Sequence, residues 1–339
     1  MLQNIKSEKN FINPEWGIRD ELQKFLKDFL LENTSSQLLP LILHHFKVPG
    51  KMLRPQIAYK LMRSVGFSHN DSLTWGAVCE LIHNASIVHD DIQDGDQFRR
   101  GQESLWFKFG INAAINIGDY FIMQSNILVS KMECDDETKM NLIVELNQKS
   151  SQLVQGQELE SALVQYFDSS VLWEKYIETI QLKTSAFFTL PFSPIKLRID
   201  GNQAQLIDDS LILMGKIFQI QDDIIDLYGN KGRNQLGMDL AEGKISSLVV
   251  QQLIHEPESS NKLLTDLLKE REETDKETIL YWSERFMQSG ALGKCLFLVK
   301  ELNKEMDKVV EQLPKNVSVV IANLQSKINH PLQNIERNL

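Results

Sequence analysis

Two short acidic motifs with the same spacing are the residues of this sequence best suited to chemistry. The first is Asp90-Asp91-Ile92-Gln93-Asp94 and the second is Asp222-Asp223-Ile224-Ile225-Asp226, so both read DDxxD. On a helix, the first and last aspartates of such a motif share one face and lie about 6 Å apart along the axis. Their like charges destabilise a helix by roughly 0.2–0.5 kcal/mol unless a cation lies between them. The spacing therefore predicts two sites for a divalent cation.

Magnesium is the cation that suits these ligands best. Mg²⁺ prefers hard oxygen ligands, needs only one or two carboxylates, and completes its octahedral shell with water and phosphate oxygens. Each motif follows an apolar helical run, LIHNASIVH before the first and LILMGKIFQIQ before the second. An exposed acidic helix end explains either motif taken singly, but the repetition in similar settings argues against it. We therefore expect both motifs at the ends of buried helices, binding a phosphorylated ligand through Mg²⁺.

Basic residues in short motifs supply the second half of this predicted site. Arginine offers forked hydrogen-bond donors to phosphate oxygens, and lysine offers a point charge. Each such residue alone is most often a surface charge, but Arg99 and Arg100 in FRRG closely follow the first acidic motif. The candidates are Lys51, Arg54, Arg99, Arg100, Lys183 and Lys244.

Composition limits the function classes that remain. The chain has 339 residues, 42% of them hydrophobic, which is enough for a sizeable core and excludes disorder as its main state. Its net charge of −10 argues against binding nucleic acid through a basic face. No apolar stretch approaches the ~20 residues of a transmembrane helix, and no secretory signal is evident, so we expect a cytoplasmic protein. Three scattered cysteines fit reduced thiols.

The elements that must position these residues are predicted to be helices. Glycine and proline are sparse, and apolar residues recur at helical spacing without alternating β-branched runs. This pattern predicts an all-α single domain over 1–339, with a motif-bearing core at about 50–248 and the helices of 249–339 in the same domain. The Gly-rich segment 229–243 is either a functional loop or a plain connector. Helices are expected at 16–32, 36–46, 55–66, 70–94, 112–132, 136–164, 169–190, 203–228, 243–255, 259–271, 274–288, 290–312 and 315–328.

From about Gly50 to Leu248 the sequence resembles the trans-isoprenyl diphosphate synthases, which make farnesyl, geranylgeranyl and longer polyprenyl diphosphates. The resemblance rests on ordered motifs, namely GKMLRP, LIHNASIVHDDIQDGDQFRRG, Gly118-Asp119, Lys183-Thr184, FQIQDDIID and DLAEGK. It implies an all-α bundle of antiparallel helices around a deep central cavity, commonly a homodimer. It also implies three Mg²⁺ ions between the two aspartate motifs.

The resemblance assigns roles to individual residues. Those implied to bind Mg²⁺ directly are Asp90, Asp94 and Asp222, and those implied to support them directly or through water are Asp91, Asp223 and Asp226. The residues implied to hold the allylic diphosphate are Arg99, Lys183 and Lys244. The residues implied to line that binding site are Thr184 and Gln219. The group implied to bind isopentenyl diphosphate is Lys51, Arg54, His83 and Arg100. The implied catalytic set is Asp90, Asp91, Asp94, Lys183 and Asp222.

The reaction implied by the resemblance begins when diphosphate leaves the allylic substrate, with its charge stabilised by Mg²⁺ and basic groups. The double bond of isopentenyl diphosphate attacks the allylic cation, and loss of a proton to the released diphosphate gives a trans product. In the family, aromatic residues four and five positions before the first motif close the cavity at farnesyl length. Ala85 and Ser86 stand there. A product of C20 or longer is expected, unless Tyr120, Phe121 or Met123 blocks the tunnel.

Two departures from the family pattern leave alternatives open. The family usually has a lysine at the position where the spacing places Asn234, and Lys231 or Arg233 is the candidate to replace the missing positive charge. The second departure is that ISSL follows EGK, where the family has a Thr and Pro pattern. Both would weaken diphosphate binding or mark a specialised member. A terpene cyclase or unusual prenyl coupler on the same fold therefore remains an alternative, as does a non-catalytic synthase-like subunit. A metal phosphohydrolase using His89-Asp90 is a further alternative, which gives no role to the repeated DDxxD.

Overall fold

The protein is an all-α structure, as its sequence predicts. The computed structural model describes residues 17–48, 50, 52–167, 170–229, 236–268 and 276–336, with side chains up to residue 332 in the last helix. Strands within these ranges are confined to the two-residue pair β1 (Phe98–Arg99) and β2 (Gln102–Glu103). No helix in the same ranges combines the length and apolar character needed to cross a membrane.

The chain divides into two compact units, the first extending to Asp135 and the second beginning at Asp136. A single domain over the whole chain stays a prediction, and each unit is described by itself. The first unit is organised around α4, which packs against α1, α3 and α6 and is buried without interruption over 71–82. A helix that is apolar on nearly all sides is stable only when its neighbours cover it. The helices of this unit are α1 (Arg19–Asn33), α2 (Leu39–His45), α3 (Leu53–Ser64), α4 (His69–Gln93), α5 (Leu105–Phe109) and α6 (Ile111–Ser130).

The second unit is organised around α11, which packs against α8, α9, α13, α16 and α17. It is a 28-residue helix with buried positions along its length, including the end that carries the second acidic motif. The helices of this unit are α7 (Asp136–Ala162), α8 (Leu172–Leu182), α9 (Thr184–Thr189), α10 (Ser193–Lys196), α11 (Gly201–Tyr228), α12 (Met238–Ala241), α13 (Ser247–His255), α14 (Ser260–Leu267), α15 (Lys276–Gln288), α16 (Ala291–Val310) and α17 (Lys315–Glu336).

Several details differ from the sequence prediction. The last helix continues to Glu336 instead of ending at 328, and the short helices α10 and α12 were not predicted. The helix predicted at 169–190 is divided at Lys183 into α8 and α9, although the Lys183 backbone stays in the right-handed helical region at φ −84° and ψ −66°. The β1–β2 hairpin and the short helix α5 were not predicted, since two-residue strands leave no periodic pattern. The helix predicted from 243 begins at Ser247 instead, where the Ser246 side chain accepts a hydrogen bond from the Val249 N–H.

A close contact between α7 and the break at Lys183 generates a stability prediction. A Cβ added to Gly156 on α7 would lie 2.5 Å from the Lys183 nitrogen and 2.8 Å from its Cβ. Gly156→Ala should therefore lower the free energy of unfolding by about 1–3 kcal/mol through overpacking. Gly293→Ala on α16 is the control, since nothing lies within 4 Å of an added Cβ there. Chemical denaturation should show the control unchanged or up to ~1 kcal/mol more stable, and equal behaviour of both variants would contradict the tight contact.

Candidate active site

The first acidic motif lies at the C-terminal end of α4. Asp90 is in the last turn and Asp94 is the C-cap, while Asp91 is buried at 3% exposure. Both Asp90 and Asp94 are half-buried. The last turn of α4 contains no basic residue, and a helix C-terminus already carries partial negative charge. The helix end thus concentrates negative charge, which a bound cation would stabilise.

The β1–β2 hairpin folds back onto this motif through Arg99. The Arg99 guanidinium pairs with the Asp91 carboxylate and, at 3.2 Å, with that of Asp96. The Asp96 backbone is held as well, since its N–H donates to the Asp91 carbonyl at 2.9 Å and its carbonyl accepts from the Trp106 indole at 2.9 Å. Burial raises the pKa of Asp91 to about 6, and the positive charge of Arg99 opposes that rise. Arg99 therefore contacts the motif itself.

Arg100 makes different hydrogen bonds from Arg99. Positive φ angles at Arg100 and Gly101, 53° and 78°, make the tight turn, which matches the twist of a two-residue hairpin. The Arg100 side chain donates to the Val48 carbonyl at 3.2 Å and lies against Gly50. The two adjacent arginines thus have different hydrogen-bond partners, although both line one small cavity with Asp91 and Val48. Their assignment to two different diphosphates stays a prediction.

Arg100 contributes to a basic cluster with two other predicted binding residues. Arg54 on α3 and His83 on α4 approach to 3.3 Å, and the charges of Arg54 and Arg100 reach His83. Burial, and then these guanidinium charges, hold the pKa of His83 well below its ordinary value, so the imidazole is neutral at pH 7. Such a cluster favours an anion. Lys51, the fourth predicted member, lies outside the described residues.

The Gly118-Asp119 pair of α6 has a structural explanation. Gly118 lies against the His89 ring, so that a Cβ there would come within 2.8 Å of His89 Cε1. Asp119 pairs with His89 Nε2 at 3.5 Å. His89 is thus oriented by α6 next to the first motif.

The second motif lies near the C-terminal end of α11, where the last turn also lacks a basic residue. Its middle aspartate, Asp223, is buried and accepts three hydrogen bonds. They come from the Tyr176 hydroxyl at 2.7 Å, the Ser247 N–H at 2.6 Å and the Gln219 amide at 3.0 Å. Burial raises the pKa of Asp223 to about 6, and these three hydrogen bonds oppose that rise. Asp223 therefore links α11 to α8 and to the start of α13.

Asp226 organises the segment that follows α11. Its backbone carbonyl accepts from the Gly237 N–H at 3.0 Å, and its carboxylate accepts from the Asp239 N–H at 3.1 Å. Part of the predicted loop is therefore anchored to the motif and continues as α12. Asn234, together with Lys231 and Arg233, lies outside the described residues, so the proposed loss of a lysine there stays a prediction.

The remaining predicted residues of the second unit lie in two groups. Thr184 Oγ1 donates to the Gln219 side-chain oxygen at 2.8 Å, so Thr184, Gln219 and Asp223 form one chain of hydrogen bonds. Lys183, at the break between α8 and α9, pairs with Glu160 of α7 at 2.6 Å. Lys244 pairs with Glu242 at 2.9 Å.

The exposure of the six aspartates separates them into two sets. Asp91, Asp223 and Asp226 are buried, whereas Asp90, Asp94 and Asp222 are half-buried. The three half-buried aspartates fit Mg²⁺, which needs few carboxylates and takes other oxygens from ligand and water. No preformed group of three His, Cys, Asp or Glu side chains suited to a metal occurs in the described ranges. The Mg²⁺ ligand assignment stays a prediction.

Several residues that shape this site were not identified from the sequence. Asp96 lies between the first motif and FRRG. An acidic residue followed closely by two arginines is the sequence pattern that could have identified it. Tyr176 and Glu160 left no signal, because each meets its partner only through helix packing. Ala85 is buried and Ser86 half-buried on α4, while of the alternative blocking residues Phe121 is buried and Met123 is exposed.

An all-α fold with an acidic motif at the end of each central helix, accompanied by basic side chains, defines an isoprenoid-synthase type of protein. Residues 36–283 match the family model described as polyprenyl synthetase. The chain therefore belongs to the polyprenyl synthetase family, a family of prenyltransferases.

Individual relatives are similar along most of their length. An octaprenyl diphosphate synthase of Haemophilus influenzae is 27% identical over 274 residues, covering 79% of this chain and 80% of the relative. A short chain isoprenyl diphosphate synthase of Methanocaldococcus jannaschii is 28% identical over 265 residues, covering 77% and 78%. A polyprenyl synthase from Caulobacter crescentus, crystallised with calcium and isoprenyl diphosphate, has a TM-score of 0.77 at 22% identity, covering 92% of this chain and 94% of that one.

The hydrogen bonds of Asp223 generate a prediction for Tyr176. Tyr176→Phe removes one of three donors to a buried carboxylate, which should lower the free energy of unfolding by about 1–3 kcal/mol. The pKa of Asp223 should rise further, because the tyrosine bond holds it down. Tyr281→Phe, at an exposed position on α15, is the control and should change stability by less than about 0.5 kcal/mol. Denaturation curves measure both, and an unchanged Tyr176→Phe would show that this hydroxyl contributes nothing.

Proposed function

We propose that this protein is a Mg²⁺-dependent trans-prenyltransferase that condenses isopentenyl diphosphate with an allylic diphosphate. The observation that carries the proposal is that each central helix ends in a DDxxD motif with half-buried aspartates, and that Arg99 pairs with the first of these motifs. Membership of the polyprenyl synthetase family supports it. The diphosphate complex of the Caulobacter relative, which also contains a divalent cation, is consistent with it. When bound, Mg²⁺, with three ions proposed per site, would neutralise charge on the departing diphosphate.

The protein's own groups have separable tasks in this proposal. Asp90, Asp94 and Asp222 would bind the metal, and Arg99 would contact the allylic diphosphate while holding Asp91 in place. Lys183 pairs with Glu160 and Lys244 pairs with Glu242 in the structure. When diphosphate binds, the two ammonium groups would contact phosphate oxygens either in place of these carboxylates or in addition to them. Each buried aspartate keeps its motif helix in register with neighbouring elements. No protein base is needed, because the released diphosphate can accept the final proton.

The basic cluster at Arg54, His83 and Arg100 is proposed to bind isopentenyl diphosphate, together with Lys51. The electrostatic coupling of the three described residues supports this, since the charges of Arg54 and Arg100 both act on His83. A neutral His83 would donate one hydrogen bond, while the two guanidinium groups supply the charge.

A product of C20 or longer is proposed from the small residues Ala85 and Ser86. The relatives include both an octaprenyl and a short chain synthase, so their names are compatible with a range of lengths. A cyclised product remains the alternative, and the same product analysis distinguishes linear from cyclic chains. A non-catalytic subunit is the other alternative, and turnover by the purified chain would exclude it.

A cytoplasmic homodimer is the proposed state of the protein. The surface of α6 supports a self-contact, because exposed apolar side chains recur at four-residue spacing along one side. They are Ile111, Ile115, Met123 and Ile127, between 41% and 63% exposed. Burying such a row against a second copy would remove apolar area from water.

Turnover should require divalent metal and both motifs. Asp90→Ala and Asp222→Ala should each reduce turnover by at least about 10²-fold, because each removes strong electrostatic support for the leaving diphosphate. Asp28→Ala, at an exposed position on α1, should stay within about threefold of the wild type. The assay measures incorporation of isopentenyl diphosphate into allylic primers, with circular dichroism to verify folding. Full activity of a folded Asp90→Ala variant would contradict the mechanism.

Product length should respond to Ala85. Ala85 is 2% exposed, so Ala85→Phe must displace neighbours or fill space that the growing chain needs, at a stability cost of about 1–3 kcal/mol. Chromatography of products made with excess isopentenyl diphosphate should show shorter chains. Ala77→Phe places the same side chain about two turns earlier on α4 and should leave the length unchanged. A wild-type protein that stops at farnesyl diphosphate would contradict the proposed length.

A further inference from the structure

A cavity in the first unit shares Arg100 with the proposed isopentenyl diphosphate site and otherwise has no role in the proposed reaction. Its volume is ≈ 290 Å³, which is near the lower limit for ligand pockets. It lies between α1, α2 and the segment that leads into α3. Apolar side chains form most of its wall, namely Leu26, Leu30, Leu31, Leu39, Ile42, Leu43, Phe46 and Met52.

The cavity has a polar end and an apolar end. Arg19, near the start of α1, donates to the Gly50 carbonyl at 3.2 Å, which brings the Gly50 segment to that end of the helix. Gly50 in turn lies against Arg100, so Arg100 marks the polar end. Leu30 and Leu31 line the cavity from the last turns of α1, and Leu39 lines it from the start of α2. A ligand would therefore meet charge at one end and hydrocarbon at the other.

The charges lining this cavity are predominantly positive. Lys27, Lys47 and Arg100 all line it, and none of the three is paired with a carboxylate within the described ranges. This is unusual in a chain with a net charge of −10. Among the described residues, Glu80 is the single carboxylate of the lining, and it accepts a hydrogen bond from Asn84 at 3.0 Å. Arg54 and Arg100 both act electrostatically on Glu80, so its negative charge is already opposed.

Three cations among the described residues of an apolar cavity wall select a particular ligand chemistry. A phosphate monoester carries nearly two negative charges and three strong acceptor oxygens, whereas a carboxylate carries one charge. Lysine side chains also extend their apolar stems along a hydrocarbon surface while the ammonium remains in water. Both features suit a molecule with one hydrocarbon chain and a phosphate head.

We propose that this cavity is a binding site for a single-chain phosphate monoester, with the hydrocarbon chain between α1 and α2 and the phosphate among Lys27, Lys47 and Arg100. The site is separate from the aspartate motifs and requires no metal. Arg100 is common to this site and to the proposed isopentenyl diphosphate site, whereas Lys27 and Lys47 belong to this cavity alone.

Calorimetric titration of the full chain with decyl phosphate, below its micelle concentration and with EDTA present, tests the proposal. Binding at one site per chain is expected. Lys27→Ala/Lys47→Ala should weaken it at least about tenfold, through the loss of two charge-assisted contacts. Lys24→Ala, an exposed lysine of α1 outside the lining, should bind like the wild type. Equal affinity of the double variant and the wild type would overturn the assignment.

Further ligands and one apolar variant separate the contributions of head and chain. Three further ligands, inorganic phosphate, decanol and decanoate, should each bind at least about tenfold more weakly than decyl phosphate. Inorganic phosphate lacks the hydrocarbon chain, decanol lacks the charge, and decanoate carries only part of the charge. Leu43→Glu, at a side chain that is 45% exposed, should weaken binding without unfolding the protein. Decanoate binding as tightly as decyl phosphate would overturn the choice of head group. Prenyl transfer by Lys27→Ala/Lys47→Ala should be unchanged, so failure of this proposal leaves the proposed function intact.

Discussion

Burial of the middle aspartate of each acidic motif is the constraint on which the site depends. A buried carboxylate is costly unless several donors compensate it. Asp91 obtains Arg99 from the hairpin, and Asp223 obtains donors from Tyr176, Gln219 and Ser247. These contacts fix the hairpin on α4 and fix α8 and α13 on α11. The elements that carry the basic groups are thereby held next to the motifs.

The same arrangement leaves other carboxylates where a cation would stabilise them. Asp90, Asp94 and Asp222 remain half-buried, each near the C-terminal end of a long helix whose dipole adds negative charge. Folding brings these negative charges close together, which is unfavourable, and the proposed metal and diphosphate would compensate that repulsion. The helix ends are therefore suited to binding rather than to maximal stability of the chain alone.

The hairpin after α4 gives two adjacent arginines different contacts within the protein. Arg99 faces Asp91 and Asp96, while Arg100 turns toward Val48 and Gly50 because its backbone adopts a positive φ in the tight turn. Arg100 then joins Arg54 and His83 on one side and lines the separate cavity on another. A two-residue turn thus gives the two adjacent arginines different partners within the protein.

The sequence alone determined the all-α class, the two motifs and most of the long helices, because helical periodicity and DDxxD spacing are local properties of the chain. It also identified Thr184 and Gln219, which the structure joins by a hydrogen bond. Tertiary structure alone decided which aspartates are buried, the break of the helix at Lys183, and the recruitment of Tyr176 and Glu160. Those features depend on contacts between residues distant along the chain, such as Gly156 against Lys183, for which no local pattern exists.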